Sequence, residues 1–414
     1  MRRLLSLCLF SFLIVSWLVP TKGFAQEQLP ELASEAAVLM DAETGQILYD
    51  KNAYEILYPA SITKILTGLL ALEYGDPGQT LTVSAQAVSQ VPRTSSHIGL
   101  QAGETITMED ALYALAISSA NDAAVAIAEG ISGSAVEFAE LMNKEAAELG
   151  TLNSHFVNPN GLPSGEHYTT AYDMALITAK ALKQPDFLRY FGSGAYEMPA
   201  TNLSAARSLT SKNQFIDGEK SCPGLLFSKT GWTTAAQGTL VTAARRGDTT
   251  LIAVVLKSPL LEDKYLDTQK LFDYGFEAFR RFTVDEDFVL EQMYSQGLEE
   301  EVELENFEAD SFLIPRELEA ENVRLIVPGG FAPDSGVTTV PISVVAKNEA
   351  GQVLILRESL LTICLTESVN AEPEALLADV GGQPHTLGWV PLALVGAVVL
   401  AFLLLGMVEH WKRK

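Results

Sequence analysis

The sequence predicts an α+β protein in which helices pack on a sheet, followed by a small β-rich domain and a C-terminal transmembrane helix. Three observations predict this order. Strand-like apolar runs and Ala-rich runs with helical spacing alternate between residues 34 and 280. Strand-like runs recur in an acidic segment after residue 280, and a long uncharged apolar stretch comes near the C-terminus. The 414 residues, 48% of them hydrophobic and 19% charged, are enough for two to three domains of roughly 150 residues.

Local patterns justify the elements of the first part of the chain. Ala36–Met40 and Gln46–Tyr49 are short apolar runs around the turn-forming segment Asp41–Gly45, which predicts a β-hairpin. Helical periodicity or a helix end marks three segments: Ile65–Leu72, Ala111–Ala128 and Met142–Leu149, which closes at Gly150. Runs rich in β-branched residues predict two adjacent strands: Thr239–Ala243 and Leu251–Leu256.

Charge and composition divide the rest of the chain. From Arg281 to Val380 there are 21 acidic and 5 basic residues. Strand-like runs such as Val323–Val327 make residues 281–370 a predicted β-rich domain, read as a spacer or partner platform. The Ala, Glu, Gly and Pro residues of 371–386 predict a linker, and residues 26–280 remain as the main domain.

The two apolar ends have different expected roles. Residues 1–25 combine a basic start, an apolar run and a small-residue ending, which is typical of a cleaved secretory signal peptide. Residues 387–408 are 22 uncharged residues, long enough for a membrane-spanning helix, and the basic tail 409–414 is expected to stay in the cytoplasm. An uncleaved anchor and a buried core helix are the respective alternatives. We therefore expect a cell-membrane protein with a single-pass C-terminal anchor and an extracytoplasmic body.

Charge and cysteine content exclude several functions. A net charge of -24 argues against a nucleic-acid partner, because phosphate binding needs a basic face. Three cysteines cannot form a disulfide framework or a Cys-rich zinc site, and Cys222 and Cys364 are expected to be free thiols. No H-E-x-x-H pattern suggests a metal centre, and His155 and His167 are expected to be structural or surface residues.

Three short motifs carry the predicted chemistry. Ser61 and Lys64 stand three residues apart at the start of an apolar helix, so the amine is expected within hydrogen-bond reach of the hydroxyl. A serine hydroxyl needs such a base, and a lysine serves only if burial or nearby positive charge lowers its pKa. Each motif alone is weak, since Ser at a helix start is usually a cap.

The other two motifs follow in the same order along the chain. Ser118–Asp122 is a polar break between apolar stretches, where Ser119 would pass a proton to the leaving amine and Asn121 would bind a substrate carbonyl; a capped helix-helix turn is the alternative. In Lys229-Thr230-Gly231, on a predicted edge strand, the Lys and Thr side chains would bind a carboxylate and the Gly would permit close approach. Together S-x-x-K, S-x-N and K-T-G form an acyl-serine signature.

The chain resembles the serine-type D-alanyl-D-alanine carboxypeptidases, the low-molecular-mass penicillin-binding proteins, over about residues 30 to 280. Beyond the three motifs, the resemblance includes YPASITKILTGLLALE, AISSANDAAVAIAEGISGS, FAELMNKEAAELG, HFVNPNGLP and HYTTAYDMALI. It implies a penicillin-binding, β-lactamase-like transpeptidase fold with an antiparallel sheet, and a catalytic domain in residues 26–280. It also implies a hydrolase without metal or organic cofactor that removes the terminal D-alanine of peptidoglycan stem peptides and is inhibited by β-lactams.

The resemblance also implies a role for each site residue. Ser61 would be the acylated nucleophile, Lys64 the general base, Ser119 a proton-transfer group and Lys229 a substrate-binding group. The backbone N–H groups of Ser61 and Trp232 would form the oxyanion hole. Members of the family hold the terminal carboxylate with a basic residue near the end of a later strand, and Lys257 is the candidate here.

The sequence departs from the family pattern at three places, and alternatives remain. The middle motif has Ala120 where Gly is common, Ser228 precedes K-T-G, and the segment after Trp232 is a looser match. A β-lactamase is one alternative, although no E-x-x-x-N spacing surrounds Glu166 or Glu197. A wall-binding or β-lactam-sensing protein without turnover is the other.

Overall fold

The computed structural model describes residues 29–295, 302–304, 309–326, 336–347 and 353–365. These residues belong to two units. The first is Gln28–Phe282 with Ser311–Arg316, and the second holds the described parts of Thr283–Asp310 and Glu317–Lys414. The predicted signal peptide, linker, anchor and cytoplasmic tail lie outside the described residues. Among the helices that are described, none has both the length and the apolar character needed to cross a membrane.

Strands and helices alternate through most of the described chain. The strands are β1 (Ala36–Asp41), β2 (Ile47–Lys51), β3 (Thr80–Thr82), β4 (Thr105–Thr107), β5 (Ala195–Met198), β6 (Arg207–Thr210), β7 (Leu225–Thr233), β8 (Gln237–Arg246), β9 (Thr249–Ser258), β10 (Phe279–Val284), β11 (Val302–Leu304), β12 (Asp310–Pro315), β13 (Val323–Ile326), β14 (Gly336–Lys347) and β15 (Val353–Leu365). The helices are α1 (Lys64–Tyr74), α2 (Ala85–Ser89), α3 (Met108–Ile117), α4 (Asn121–Ser132), α5 (Ala135–Glu148), α6 (Ala171–Lys183), α7 (Phe187–Phe191), α8 (Asp263–Ala278) and α9 (Glu286–Ser295). Two 3-10 turns are Ala60–Thr63 and Ala320–Asn322.

A five-stranded antiparallel sheet forms the centre of the first unit. Its order is β2-β1-β9-β8-β7, so β7 lies at one edge. The predicted hairpin is β1 with β2, and the predicted adjacent strands are β8 and β9; both predictions are confirmed. The predicted edge position of the K-T-G strand is also confirmed. The α+β fold with helices on an antiparallel sheet is therefore the observed one.

Both faces of this sheet are buried, which explains why its strands are apolar runs rather than alternating ones. Val38 and Met40 face the core shared with helices α1 to α7, whereas Ala37 and Leu39 face the core shared with α8. Burying one side chain of the size of Leu39 contributes about 2 kcal/mol. The sheet is thus held rigidly between two helical layers, and its strand ends can position functional groups.

The predicted helices are also present. The run Ile65–Leu72 lies within α1, and α5 ends at Glu148, just before Gly150 with its φ of +82°. The predicted single region Ala111–Ala128 is divided into α3 and α4 at the polar motif. This break places Ser118–Ala120 in a bend rather than on a helix face.

The second unit contains strands where the sequence predicts them. β11, β15, β14 and β13 form an antiparallel sheet in that order. Strand β12 belongs instead to the first unit, where the side-chain amide of Gln46 donates to the Leu313 carbonyl at 2.9 Å and accepts from its N–H at 2.8 Å. The boundary between the units falls at Phe282, and the predicted boundaries at residues 280 and 370 stay predictions.

Candidate active site

Ser61 lies in the 3-10 turn Ala60–Thr63, immediately before the buried helix α1. The amine of Lys64, the first residue of that helix, lies 3.0 Å from the Ser61 hydroxyl. The predicted proximity of hydroxyl and amine is therefore confirmed. Ala60, directly before the serine, has a φ of +50°, a conformation that residues other than glycine seldom adopt.

Lys64 is completely buried, and its amine is surrounded by acceptors. Besides the Ser61 hydroxyl, Nζ contacts Oδ1 of Asn121 at 2.7 Å and the Asn160 carbonyl at 2.5 Å. Burial first, and then the charge of Lys229, lowers the pKa of Lys64 well below its usual value, while Asp122 acts in the opposite direction. A neutral amine has two hydrogens and one lone pair. In this neutral form the two carbonyl oxygens can accept the hydrogens, which leaves the lone pair for the hydroxyl of Ser61.

Ser119 occupies the bend between α3 and α4 with a φ of +54°. Its hydroxyl accepts a hydrogen bond from the amine of Lys229 at 2.8 Å. Asn121 is the first residue of α4, and its N–H donates to the Ser96 carbonyl at 2.9 Å. The residue before α4 makes no side-chain cap, so this polar motif is not a capped turn of the ordinary kind. It directs a hydroxyl toward Lys229 and an amide toward Lys64.

Lys229 extends from the middle of the edge strand β7 and is buried. Besides the Ser119 hydroxyl, its amine contacts the backbone carbonyl of the next residue, Thr230, at 3.2 Å. Burial, with a contribution from the charge of Lys264, lowers the pKa of Lys229 to about 7. Lys229 therefore changes charge near neutral pH.

Gly231 brings the edge strand against the serine turn. A Cβ at this position would lie 2.8 Å from the Ser61 backbone nitrogen and 2.3 Å from Oγ1 of Thr239. Only glycine permits this approach without displacing one of the two elements. Trp232, the next residue, is 58% exposed, so its side chain faces solvent at the rim of the site.

A cavity of about 500 Å³ opens beside Ser119 and Lys229. Hydroxyl, amide and cationic side chains dominate its wall: Thr94, Ser95, Ser96, His97, Ala116, Ile117, Ser118, Ser119, Thr210, Ser211, Lys212, Asn213, Ser228, Lys229 and Thr230. Among the residues that the structure describes, no carboxylate lines this cavity, although the chain carries 52 acidic residues. Its chemistry suits the anionic end of a small ligand.

Lys257 is not brought into this cluster. Its amine forms an ion pair with Glu35, with N–O distances of 2.7 and 2.8 Å, at the end of β9. Its backbone has a φ of +54° at a point where the pairing of β8 with β9 shifts register. Lys257 is therefore already paired with a carboxylate. A different lysine acts electrostatically on Lys229.

That lysine is Lys264, which the sequence reasoning missed. It lies in the first turn of α8, is 5% exposed, and makes no hydrogen bond or ion pair through its amine within the part of the chain that is described. Burial lowers the pKa of Lys264 to about 8. The local sequence, a Lys among Glu and Asp in a polar first turn, resembles an exposed helix start and gave no signal of burial.

The carbonyl of Asn160 was also missed, because a main-chain contact leaves no side-chain pattern. It belongs to Asn158–Leu162, a loop folded by the Asn158 side chain, whose Oδ1 accepts from Gly161 N–H at 2.7 Å and whose Nδ2 donates to the Leu162 carbonyl at 2.9 Å. The neighbouring Pro159 carbonyl accepts from the hydroxyl of Thr67 on α1. The loop is thus fastened to the helix that begins with Lys64.

Fold and site together define a class: an acyl-serine enzyme in which a buried lysine, held by an amide and a carbonyl, faces a serine beside an edge strand. Residues 23–259 match the family described as D-alanyl-D-alanine carboxypeptidase, peptidase family S11. The chain belongs to this family.

Individual relatives agree with the family. D-alanyl-D-alanine carboxypeptidase DacF of Bacillus subtilis is 38% identical over 293 residues, which are 67% of this chain and 72% of the relative. DacC of Escherichia coli, with the same description, is 34% identical over 315 residues, 71% of this chain and 75% of the relative. The crystal structure of penicillin binding protein 5 from Haemophilus influenzae superposes with a TM-score of 0.67 at 23% identity, covering 82% of this chain and 98% of that one, and supports the fold.

Proposed function

We propose that the protein is a serine-type D-Ala-D-Ala carboxypeptidase that removes the terminal D-alanine of peptidoglycan stem peptides through an acyl-Ser61 intermediate. One observation carries the proposal: the buried amine of Lys64 lies 3.0 Å from the Ser61 hydroxyl, and its two other contacts are with carbonyl oxygens. In its neutral form, such an amine is a general base within hydrogen-bond distance of the hydroxyl proton that it accepts.

The proposed acylation uses these contacts in turn. Ser61 attacks the penultimate carbonyl of the peptide while Lys64 takes its proton. The backbone N–H groups of Ser61 and Trp232 hold the oxyanion, a contribution of about 3 kcal/mol per donor in comparable sites. Ser119, which accepts a hydrogen bond from Lys229, passes the proton taken up by Lys64 to the nitrogen of the departing D-alanine, so that the amine leaves protonated and Lys64 is neutral again. Water then hydrolyses the acyl-enzyme, and β-lactams acylate the same serine.

The proposed carboxylate site combines Thr230 with two cations. Lys229 and Lys264 interact electrostatically, and among the described residues the amine of Lys264 lies over the ring of Tyr265, 5.4 Å from its centroid, and forms no hydrogen bond or ion pair. A terminal carboxylate between the two amines would offset the free-energy cost of burying two positive charges and would reduce the repulsion between them. We assign to Lys264 the role that the sequence suggested for Lys257, because Lys257 is already paired with Glu35.

The remaining parts of the proposal concern the other regions of the chain. We propose a cleaved signal peptide in residues 1–25, a catalytic domain in 26–280, a β-rich domain in 281–370 and a membrane anchor in 387–408. Supporting observations are the sequence patterns and, for the third region, the antiparallel sheet of β11, β13, β14 and β15. The catalytic domain would then face the cell wall from the outer side of the membrane.

The test is release of D-alanine from diacetylated Lys-D-Ala-D-Ala by the purified protein, with Ser61→Ala as the blank. We expect release by the wild-type protein alone, together with covalent labelling of Ser61 by a fluorescent penicillin. Stable labelling without any release of D-alanine would instead identify a β-lactam-sensing protein. Rapid hydrolysis of the penicillin with no D-alanine release would identify a β-lactamase.

The pH profile gives a prediction about the two cations. With the peptide substrate, kcat/KM is expected to fall as pH rises through about 7, because Lys229 loses the charge that binds the carboxylate. In Lys264→Met, loss of a neighbouring positive charge raises the pKa of Lys229, so the falling limb moves to higher pH. Lys270→Met, which changes an exposed lysine of the same helix, is the matched control and leaves the limb in place. A limb that stays fixed in Lys264→Met would contradict the assigned coupling.

A further inference from the structure

Thr63 lies within the S-x-x-K motif and joins a chain of hydrogen bonds outside the reacting groups. Its hydroxyl donates to the Ala60 carbonyl at 2.8 Å, and the same oxygen lies 2.9 Å from Nε2 of His167. On the opposite side of the imidazole, the Val157 N–H donates to Nδ1 at 3.1 Å. Ala60, Thr63 and His167 are all buried, so water does not compete for these bonds.

Two constraints assign the same tautomer to His167. The Val157 N–H needs the lone pair of Nδ1, so the hydrogen of the neutral ring is on Nε2. The Thr63 hydroxyl has one hydrogen, which is given to Ala60, so its oxygen needs a donor, and Nε2–H supplies it. Burial, with smaller electrostatic contributions from the neighbouring His155 and Lys64, lowers the pKa of His167 to about 3. The ring is therefore neutral at neutral pH, as both bonds require.

The end of this chain is the backbone that presents the nucleophile. Ala60 has a φ of +50°, and its carbonyl is approached so closely by Gly161 that a Cβ there would lie 1.9 Å from the oxygen. An unusual conformation persists only where neighbours enforce it. The Thr63 hydroxyl and the packing of Gly161 hold the Ala60 carbonyl, and Ser61 follows directly in the chain.

We propose that His167 is a positioning residue for acylation: its Nε2–H keeps the Thr63 hydroxyl on the Ala60 carbonyl, and this bond fixes the turn that carries Ser61. His167 acts through two residues and touches no substrate. The inference rests on the proposed acylation of Ser61 and goes beyond it, because neither Thr63 nor His167 takes part in the proton transfers.

Two substitutions of His167 separate the two bonds of its ring. Glutamine reaches the position of Nε2 with an amide donor, whereas asparagine places an oxygen near Nδ1 and no donor near Thr63. His167→Gln is expected to acylate within about threefold of wild type, and His167→Asn roughly 10- to 100-fold more slowly, as for a nucleophile misplaced by a fraction of an ångström. The readout is the rate of covalent labelling by a fluorescent penicillin, separated into affinity and acylation steps. The loss is expected in the acylation step.

A double-mutant cycle with Thr63→Val tests whether His167 acts through Thr63. The single variant Thr63→Val is expected to slow acylation as much as His167→Asn does. The double variant is expected to acylate no more slowly than either single variant. Thr63→Ser, which keeps the hydroxyl, is expected to acylate at the wild-type rate. The matched control is Thr178→Val, which removes another buried threonine hydroxyl bond, to the Met174 carbonyl in α6. It is expected to lower the Tm comparably and leave acylation unchanged.

The proposal is overturned if His167→Asn and Thr63→Val acylate at the wild-type rate, if their losses add in the double variant, or if Thr178→Val slows acylation equally. Penicillin labelling reports Ser61 acylation whether or not D-alanine is released from a peptide. A failure of the proposed carboxypeptidase activity would therefore leave this test intact, and a failure of this test would leave that activity standing.

Discussion

Replacing Lys64 with methionine is expected to slow acylation of Ser61 by about 10³-fold, the contribution of a well-placed general base. Methionine has a similar length and no charge, so it fills the buried space without an amine to desolvate. The lost function is the lone pair directed at the Ser61 hydroxyl, since the other two contacts of Lys64 are with carbonyl oxygens. The measurement is the rate of penicillin labelling and of D-alanine release, with Ser61→Ala as the blank.

Lys64→Arg distinguishes a base from a fixed positive charge. Arginine keeps its proton at every relevant pH, so it preserves charge and cannot accept a proton. We expect it to be as slow as Lys64→Met. If Lys64→Arg kept more than about a tenth of the wild-type rate, the positive charge rather than the neutral amine would be the functional property, and the proposed role of Lys64 would be wrong. A Tm within a few degrees of wild type shows that the variant has folded.

Replacing Gly161 with alanine is expected to reduce both stability and acylation severely. The added Cβ would lie 1.9 Å from the Ala60 carbonyl oxygen and 2.9 Å from Oγ1 of Thr63, so the loop or the serine turn must move. We expect the free energy of unfolding to fall by more than about 4 kcal/mol, a loss that single substitutions reach only by overlap or cavity formation in a packed region. Acylation is expected to fall more than about 100-fold, because the Asn160 carbonyl would leave Lys64.

Gly150→Ala is the matched control for backbone conformation. Gly150 has the same φ of +82° as Gly161, but a Cβ there would meet nothing within 4 Å. Its cost is therefore that of the left-handed conformation alone, roughly 1–2 kcal/mol, with acylation unchanged. Urea unfolding and penicillin labelling of both variants give the comparison. If the two variants lost equal stability, the loop Asn158–Leu162 would accommodate the added Cβ without cost, and it would not hold the serine turn in place.

Local patterns were sufficient for much of the fold and for the centre of the site. The hairpin of β1 and β2, the helix α1 and the neighbouring strands β8 and β9 follow from periodicity and turn residues, which act over a few positions. The spacing of Ser61 and Lys64 likewise determines their proximity, because one helical turn separates them. The contacts of Lys64 with Asn121 and of Ser119 with Lys229 could be anticipated only from the order of the three motifs.

Contacts that depend on distant parts of the chain could not be predicted in this way. Burial of Lys264 results from where α8 packs, and the Asn160 contact with Lys64 is made by a main-chain oxygen. The ion pair of Lys257 with Glu35 could not be foreseen, because 222 residues separate the two in the sequence. Strand β12 joins the first unit by pairing with β10 and through Gln46, which no local pattern indicates.

The position of β7 at the sheet edge determines what the site can recognise. A peptide bound there would be read mainly through its amide groups and its free end, with little demand on side-chain shape. A site that recognises its ligand in this way would also bind a small rigid compound that holds one reactive carbonyl and one carboxylate at the spacing of an extended dipeptide. Under the proposed function, the same open edge would admit both the cell-wall peptide and bicyclic antibiotics, and a change that closed it would exclude both.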